Sequence, residues 1–405
     1  MVIEDLIITP IAFADPPLLN VWGTHEPTAL RVVLQLATDE GIVGLGEAPG
    51  GASRVERLMQ IREHVVGLSV FDLGRIEAVV HSALAGVGVR ERLAAYAPLE
   101  VACLDAQGKA LALPVSDLLG GRVRDRVEYS AYLFYKWAGH DGDSDEWGEA
   151  LDADGLVAEA HTLISEYGFR SLKLKGGVFD PATEIDHVAQ LHDAFPEFPL
   201  RLDPNCAWSV ETSIKSARRL DGMLEYLEDP TPGIEGMAAV QASSPLPLAT
   251  NMCVTAFDDL PQAIDRRAIQ IVLGDHHAWG GMRRVAQLGR ICETWRLGLA
   301  MHSNSHLGIS LAAMTHLASV TPALTFACDT HYPWNAAEDL VRPGALVFEG
   351  GAVAVPAAPG LGVELVESKL AELHERYLSR KSHLRSDAAY RRTREPGFNP
   401  TVPRW

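Results

Sequence analysis

Eight short apolar runs, each closing on polar residues, recur from about residue 126 onward: EYSAYLFY, RSLKLK, LRLDPN, LEYLEDP, LPLATN, IQIVLGD, GLAMHS and LTFACDT. Between them lie amphipathic stretches of helical length, including DGLVAEAHTLISEYG, PATEIDHVAQLHDAF, VETSIKSARRL and GISLAAMTHLASV. Strands that alternate with helices predict a parallel sheet, because the crossover returns each strand in the same direction. Eight is the strand count of a TIM barrel; an open doubly wound sheet is the alternative. The units are too dissimilar to form a sequence repeat. Upstream, residues 3–12 and 29–47 read as strands, and 54–112 carry apolar positions at helical spacing, which predicts a smaller α+β domain.

The 405 residues are enough for one large and one smaller domain. No apolar run approaches the ~18–20 residues of a membrane span. The opening MVIEDLIITP lacks the basic region of a secretory signal. Cys103, Cys206, Cys253, Cys292 and Cys328 are scattered and form no CxxC, so reduced thiols in a cytoplasmic protein are expected. The net charge of −18 argues against nucleic acid or an anionic membrane as partner. A small anionic substrate remains compatible, since a metal ion and a few cations can reverse the field inside one cleft.

In a barrel, strand C-termini form the active-site face. Lys173, Lys175, Asp203, Asn205, Glu228, Asn251, Asp275, His302 and Asp329 are therefore expected to converge on one mouth. Lys173 and Lys175, two apart on a strand, share a side; each ammonium disfavours charge on the other, which lowers a lysine toward the range of a general base. KxK is also an ordinary solvated strand end. Asp203, Glu228 and Asn251 end three successive strands and offer oxygen ligands of the kind magnesium prefers. A lone strand-end acid is more often a helix cap, and Glu235, in the loop after Glu228, could replace or assist it. Asp275 beside His302 would orient the imidazole and raise its basicity. His276, His277 and His306 lie close by in sequence, so the choice of His302 rests on its strand-end position. Together these parts suit removal of a proton α to a carboxylate, with the enediolate stabilised by a metal.

KLKGG, LDPNCAWS, YLEDP, LATNM, MHSNSHLGISL and CDTHYPW, in this order, resemble the motif series of the glucarate dehydratase group of the enolase superfamily. LLNVWGTHEP, GLGEAPGG and PGLGVEL resemble its N- and C-terminal segments, so the likeness spans nearly the whole chain. The resemblance implies an α+β capping domain over residues 1–125, a modified TIM barrel over 126–350, and a C-terminal segment, 351–405, that returns to the cap. It implies Lys175 as base on one face of the substrate, with Lys173 beside it, and His302, paired with Asp275, on the other. Asp203, Glu228 and Asn251 become the ligands of Mg2+, with Mn2+ as an alternative ion. Asn20, His25, Tyr132, Phe134, Asn205, Asn304, His331 and Arg385 become substrate contacts. The implied reaction is dehydration of a six-carbon aldarate, in the D-glucarate case to 5-dehydro-4-deoxy-D-glucarate, by a homo-oligomer. Arg385 would take the distal carboxylate in a bidentate pose.

Some positions depart from the group. Near Ala97 its best-known members carry threonine, HHAWGG stands where PHFW is frequent, and HLRSDAAY matches loosely. These touch specificity more than proton abstraction. The alternatives are galactarate or an aldonate as substrate, epimerisation in place of dehydration, and a non-catalytic sugar-acid-binding relative. A nicotinamide enzyme is disfavoured, because GLGEAPGG lacks GxGxxG spacing and reads instead as a turn before the first cap helix. Residues 14–26 read as a substrate-covering loop, and the basic run YLSRKSHLRSDAAYRRTREPGF as a solvated tail or a strap that brings Arg385 over the site.

Overall fold

The computed structural model describes residues 1–405. Strands β1 (Ile3–Ala14), β2 (Thr28–Thr38) and β3 (Val43–Pro49) form an antiparallel sheet in chain order. Helices α1 (Ala52–Val65), α2 (Leu73–Ala83) and α3 (Val89–Leu111) complete the first domain. GLGEAP is thus strand rather than turn; only Gly50 and Gly51 make the bend. Its glycines serve close packing. A Cβ on Gly44 would lie 2.0 Å from the Ala102 carbonyl oxygen of α3, and one on Gly46 2.2 Å from that of Pro98. Backbone cannot yield as a side chain can, so Gly44→Ala is expected to cost about 1–3 kcal/mol, read as a lowered melting temperature.

The eight predicted runs are eight strands: β4 (Arg126–Phe134), β5 (Leu172–Lys175), β6 (Leu200–Asp203), β7 (Tyr226–Glu228), β8 (Leu248–Thr250), β9 (Ile271–Gly274), β10 (Gly298–Met301) and β11 (Cys328–Thr330). Each pairs in parallel with the next from β4 to β10. β11 pairs in parallel with β4, and a Leu299–Leu324 bridge links β10 to the segment entering β11, so the ring closes. Seven helices cross between strands: α4 (Ala153–Tyr167), α5 (Pro181–Ala194), α6 (Val210–Arg219), α7 (Gly233–Gln241), α8 (Leu260–Asp265), α9 (Met282–Trp295) and α10 (Gly308–Ser319).

The barrel is modified after β11. In place of an eighth long helix there is one turn, Tyr332–Asn335, then a hairpin (Phe348–Glu349 with Ala352–Ala354) that pairs antiparallel with the start of β4. Helix α11 (Glu367–Leu378) then packs on β1 of the first domain. One apolar core of 95 buried residues runs through both domains, so cap and barrel pack as one body. No helix is long and apolar enough to cross a membrane, and the five cysteines form no disulfide.

Period-two alternation places the chemistry. On β5, β6 and β7 the leucines Leu172, Leu174, Leu200, Leu202 and Leu227 join the apolar core. The alternate residues Lys173, Lys175, Arg201, Asp203, Tyr226 and Glu228 therefore face the barrel axis.

Candidate active site

Lys173, Glu228 and Asp329 are fully buried together: Lys173 Nζ is 2.5 Å from Glu228 Oε2 and 2.7 Å from Asp329 Oδ2. Lys175 Nζ is 2.6 Å from Asp203 Oδ2. The Tyr132 ring lies 5.2 Å and 4.8 Å from the two ammonium groups, and its hydroxyl donates to Asp329 Oδ2 over 2.7 Å. This corrects the expectation that paired lysines lower one another. Burial does work against the Lys173 charge, but Asp329 and then Glu228 outweigh it and hold Lys173 above the ordinary lysine value. Mutual repulsion is a small term beside direct contact with two carboxylates.

Glu228 Oε1 accepts from Asn251 Nδ2 over 2.6 Å. Asn205 has positive φ (52°), and its N–H and amide both bond Asp203, at 2.9 and 3.1 Å. Glu235 lies exposed in the first turn of α7, paired with Arg266 at 3.2 Å, so of the two glutamates only Glu228 belongs to the buried cluster. Burial, reinforced by Asp203 and Asp329 and opposed by Lys173, pushes Glu228 above the usual carboxylate range. The buried acids Asp203, Glu228, Asp229 and Asp329 outnumber the buried cations Lys173, Lys175 and Arg201 by one, and Glu228 Oε2 accepts no hydrogen bond of good geometry. Such an anionic, oxygen-rich cluster fits a hard divalent cation, which Asp203, Glu228 and Asn251 could hold. A cation there competes with protonation of Glu228, whose carboxyl is pushed up to about 8. Stabilisation by magnesium is therefore expected to grow as pH rises from about 6 to about 8.5, read as a widening shift in melting temperature.

The second group lies at β9 and β10. His302 Nδ1 is 2.9 Å from Asp275 Oδ2, which leaves Nε2 as its outward atom. His277 Nδ1 is 3.0 Å from the other oxygen, Oδ1, which also accepts the His277 backbone N–H at 2.8 Å. Burial opposes ionisation of Asp275, but the His277 and His302 rings outweigh it and hold the carboxyl well below its ordinary value. Asn304 donates to Asp275 Oδ2 at 3.5 Å. Asp275, His302, Asn304 and Asn251 line a cavity of about 310 Å³ beneath the cap, with Arg54 and Arg90 on its cap side.

The remaining predicted contacts form a third group. His25 and His331 stack at 5.8 Å, and Phe134 meets the His331 ring at 5.4 Å. Burial, then the neighbouring His25, pushes His331 down to about 3, so it is neutral; its Nε2 has no partner. Arg385 is not a free cation. Its Nη1 lies 2.7 Å from Asp15 Oδ2 and its Nε 2.6 Å from Asp387 Oδ1, and Asp15 also bonds His25 Nδ1 at 3.1 Å. Asn20 uses its side-chain oxygen on the backbone N–H groups of Trp22 and Gly23, which makes it a turn residue. That turn joins two short strands, Leu19–Asn20 and Gly23–Thr24. A Cβ on Gly23 would meet the Asp387 backbone at 2.2 Å, so the expected covering loop is packed beneath the C-terminal strap.

Sequence reasoning gave no role to Asp15, Arg31, Glu47 or His277. The first three sit in cap segments that read as covering loop, strand or turn, and only contacts distant in sequence show what they do. Arg31 Nη1 donates to Asn304 over 2.8 Å, across 273 positions of sequence.

A cap over a closed barrel, with acids, lysines and a histidine–aspartate pair at the strand ends, defines a superfamily by architecture. Residues 155–369 match the family model described as enolase C-terminal domain-like. Residues 5–120 match that of the mandelate racemase/muconate lactonizing enzyme N-terminal domain. The chain belongs to the enolase superfamily. It is 50% identical to a "probable glucarate dehydratase" of Streptomyces coelicolor, over 98% of this chain and 97% of that one. An enolase structure from Thermobispora bispora, complexed with magnesium and formate, superposes with TM-score 0.98 at 54% identity and covers all of both chains. One from Mycobacterium smegmatis, complexed with tartrate, gives 0.97 at 56% identity, covering all of this chain and 98% of that one.

Proposed function

We propose that this protein is a magnesium-dependent acid-sugar dehydratase that converts D-glucarate, and its C5 epimer L-idarate, to 5-dehydro-4-deoxy-D-glucarate. The observation that carries the reading is the joint presence of a buried acid cluster with Lys175 in it and a separate His302–Asp275 pair on the facing part of the barrel. Two bases from different strands can serve substrates of opposite configuration at the α-carbon. The similarity to the Streptomyces protein and to magnesium- and tartrate-bound structures supports the same choice.

When bound, the magnesium ion supplies Lewis-acid stabilisation for the carboxylate charge that develops as the α-proton leaves. Lys175 or His302 takes that proton, according to the configuration presented. Asp275 stabilises the imidazolium when His302 is the acceptor. His302, an imidazolium either through that step or, when Lys175 is the base, because it enters the cycle protonated, then delivers its Nε2 proton to the departing β-hydroxyl, so the lost water contains that hydroxyl and one proton. The resulting enol loses its hydroxyl proton and gains one at the β-carbon to give the ketone. Lys173, pinned by Glu228 and Asp329, stays charged and positions the acids around it.

One observation favours a second reading, an aldonate as substrate: Arg385 is already bound by two carboxylates. A panel of aldarates and aldonates assayed with magnesium, with the keto product trapped by semicarbazide, separates the readings. Turnover of glucarate or idarate that EDTA abolishes and magnesium restores is expected. Turnover confined to aldonates would select the second reading, and none with any acid sugar would reject both.

A further inference from the structure

Arg31 is the most heavily engaged side chain of the cap, and its partners include Asn304 and His277, which both bond Asp275. It is almost completely buried. Its Nε and Nη2 each lie 2.8 Å from Glu47 Oε1. Nη1 donates to Asn304 Oδ1 at 2.8 Å, and Nη2 is 3.2 Å from His277 Nε2 and 3.1 Å from Ser310 Oγ. Glu47 in turn accepts the backbone N–H groups of Leu307 and Ser310, each at 2.9 Å, at the N-terminus of α10. Cap and barrel are thereby fixed to one another at the level of the dyad.

The hydrogen-bond inventory decides the state of His277. A guanidinium only donates, so the His277 Nε2 facing it must present a lone pair. Ser310 Oγ accepts from Arg31 and lies 2.8 Å from the same Nε2, toward which its hydroxyl can donate. Nε2 is thus unprotonated, and the single ring proton sits on Nδ1, 3.0 Å from Asp275 Oδ1. His276, whose ring centroid is 3.9 Å from that of His277, is held neutral by burial and adds no competing charge. Asp275 therefore faces two imidazoles, of which one cannot gain a proton.

We propose that Arg31 and His277 are positioning residues for His302: Arg31 locks His277 as a neutral Nδ1–H donor, so that the charge of Asp275 is kept for the imidazolium that forms on His302. Arg31 also sets the Asn304 amide, since an oxygen turned to Arg31 leaves its NH2 toward Asp275. Without the guanidinium, His277 Nε2 is free to take a proton, and a charged His277 competes with His302 for the same carboxylate. The inference rests on the reading of His302 as one of two bases.

The first test needs no variant of Arg31. In 15N-histidine-labelled protein, with the His277 signals assigned by difference from His277→Asn, a neutral ring with its proton on Nδ1 is expected at about pH 7. An imidazolium, or a proton on Nε2, would overturn the proposal. This readout is independent of substrate, so it stands apart from any failure of the dehydratase reading. The second test compares solvent-deuterium exchange at the α-carbon of two epimeric substrates, one served by each base. Arg31→Gln is expected to slow exchange at the His302 face by roughly tenfold to a hundredfold relative to the Lys175 face. Adding His277→Asn, which keeps an N–H toward Asp275 and cannot become charged, is expected to recover most of that loss. Equal loss at both faces, or no recovery in the double variant, would mark a merely structural role. Should Arg31→Gln fail to fold, the tautomer measurement decides alone.

Discussion

Asp203→Asn is expected to abolish magnesium-dependent turnover, with a loss of at least about 10³-fold, while the protein stays folded. The substitution preserves shape. It removes the carboxylate that contacts Lys175 at 2.6 Å and one of the oxygen-bearing acids that suit a dication. Asp203 and Glu228 are fully buried, so no water shell can replace the lost charge. Loss of its partner leaves the buried Lys175 ammonium unpaired, so the melting temperature should fall, and its dependence on magnesium should disappear. Calorimetric titration with magnesium checks binding apart from catalysis. Wild-type affinity and turnover in Asp203→Asn would remove the cluster from the mechanism.

Lys175→Ala and His302→Ala are each expected to block α-proton exchange at one face only. A general base contributes about 10²–10⁴-fold, so each variant should lose that much with the epimer its base serves and far less with the other. Loss of turnover with both epimers is expected in His302→Ala, because the same imidazole supplies the proton to the departing hydroxyl. Exchange without elimination should survive in that variant at the Lys175 face. NMR in D2O reads exchange and product separately. Identical profiles for the two variants would contradict the assignment of opposed bases.

The barrel was legible because its strands announce themselves twice, by β-rich apolar runs and by the polar residues that end them. The closing polar residues do meet at one end: Lys173 with Glu228 and Asp329, Lys175 with Asp203, Asn251 with Glu228, His302 with Asp275. Glu228 and Glu235 could not be separated from sequence, because one ends a strand and the other lies seven residues beyond it; helix α7 carries Glu235 outward. The state of Lys173 was misread because charge balance in a buried cluster depends on partners 55 and 156 positions away. Arg385 was read as free because Asp15 meets it from across 370 positions, and because its near neighbour Asp387 gave no sign of turning back onto it. Arg31 and Glu47 gave no local signal. A charged residue in an apolar strand is ordinarily a solvated edge, and only docking of cap on barrel turns this pair inward.

The measurement that bears most directly on the central claim is incubation of the purified protein with D-glucarate and magnesium in D2O, followed by proton NMR. The expected result is conversion to 5-dehydro-4-deoxy-D-glucarate with one deuterium at the new methylene carbon, stopped by EDTA and restored by magnesium. Intact glucarate that retains its α-protons, or conversion indifferent to EDTA, would contradict it.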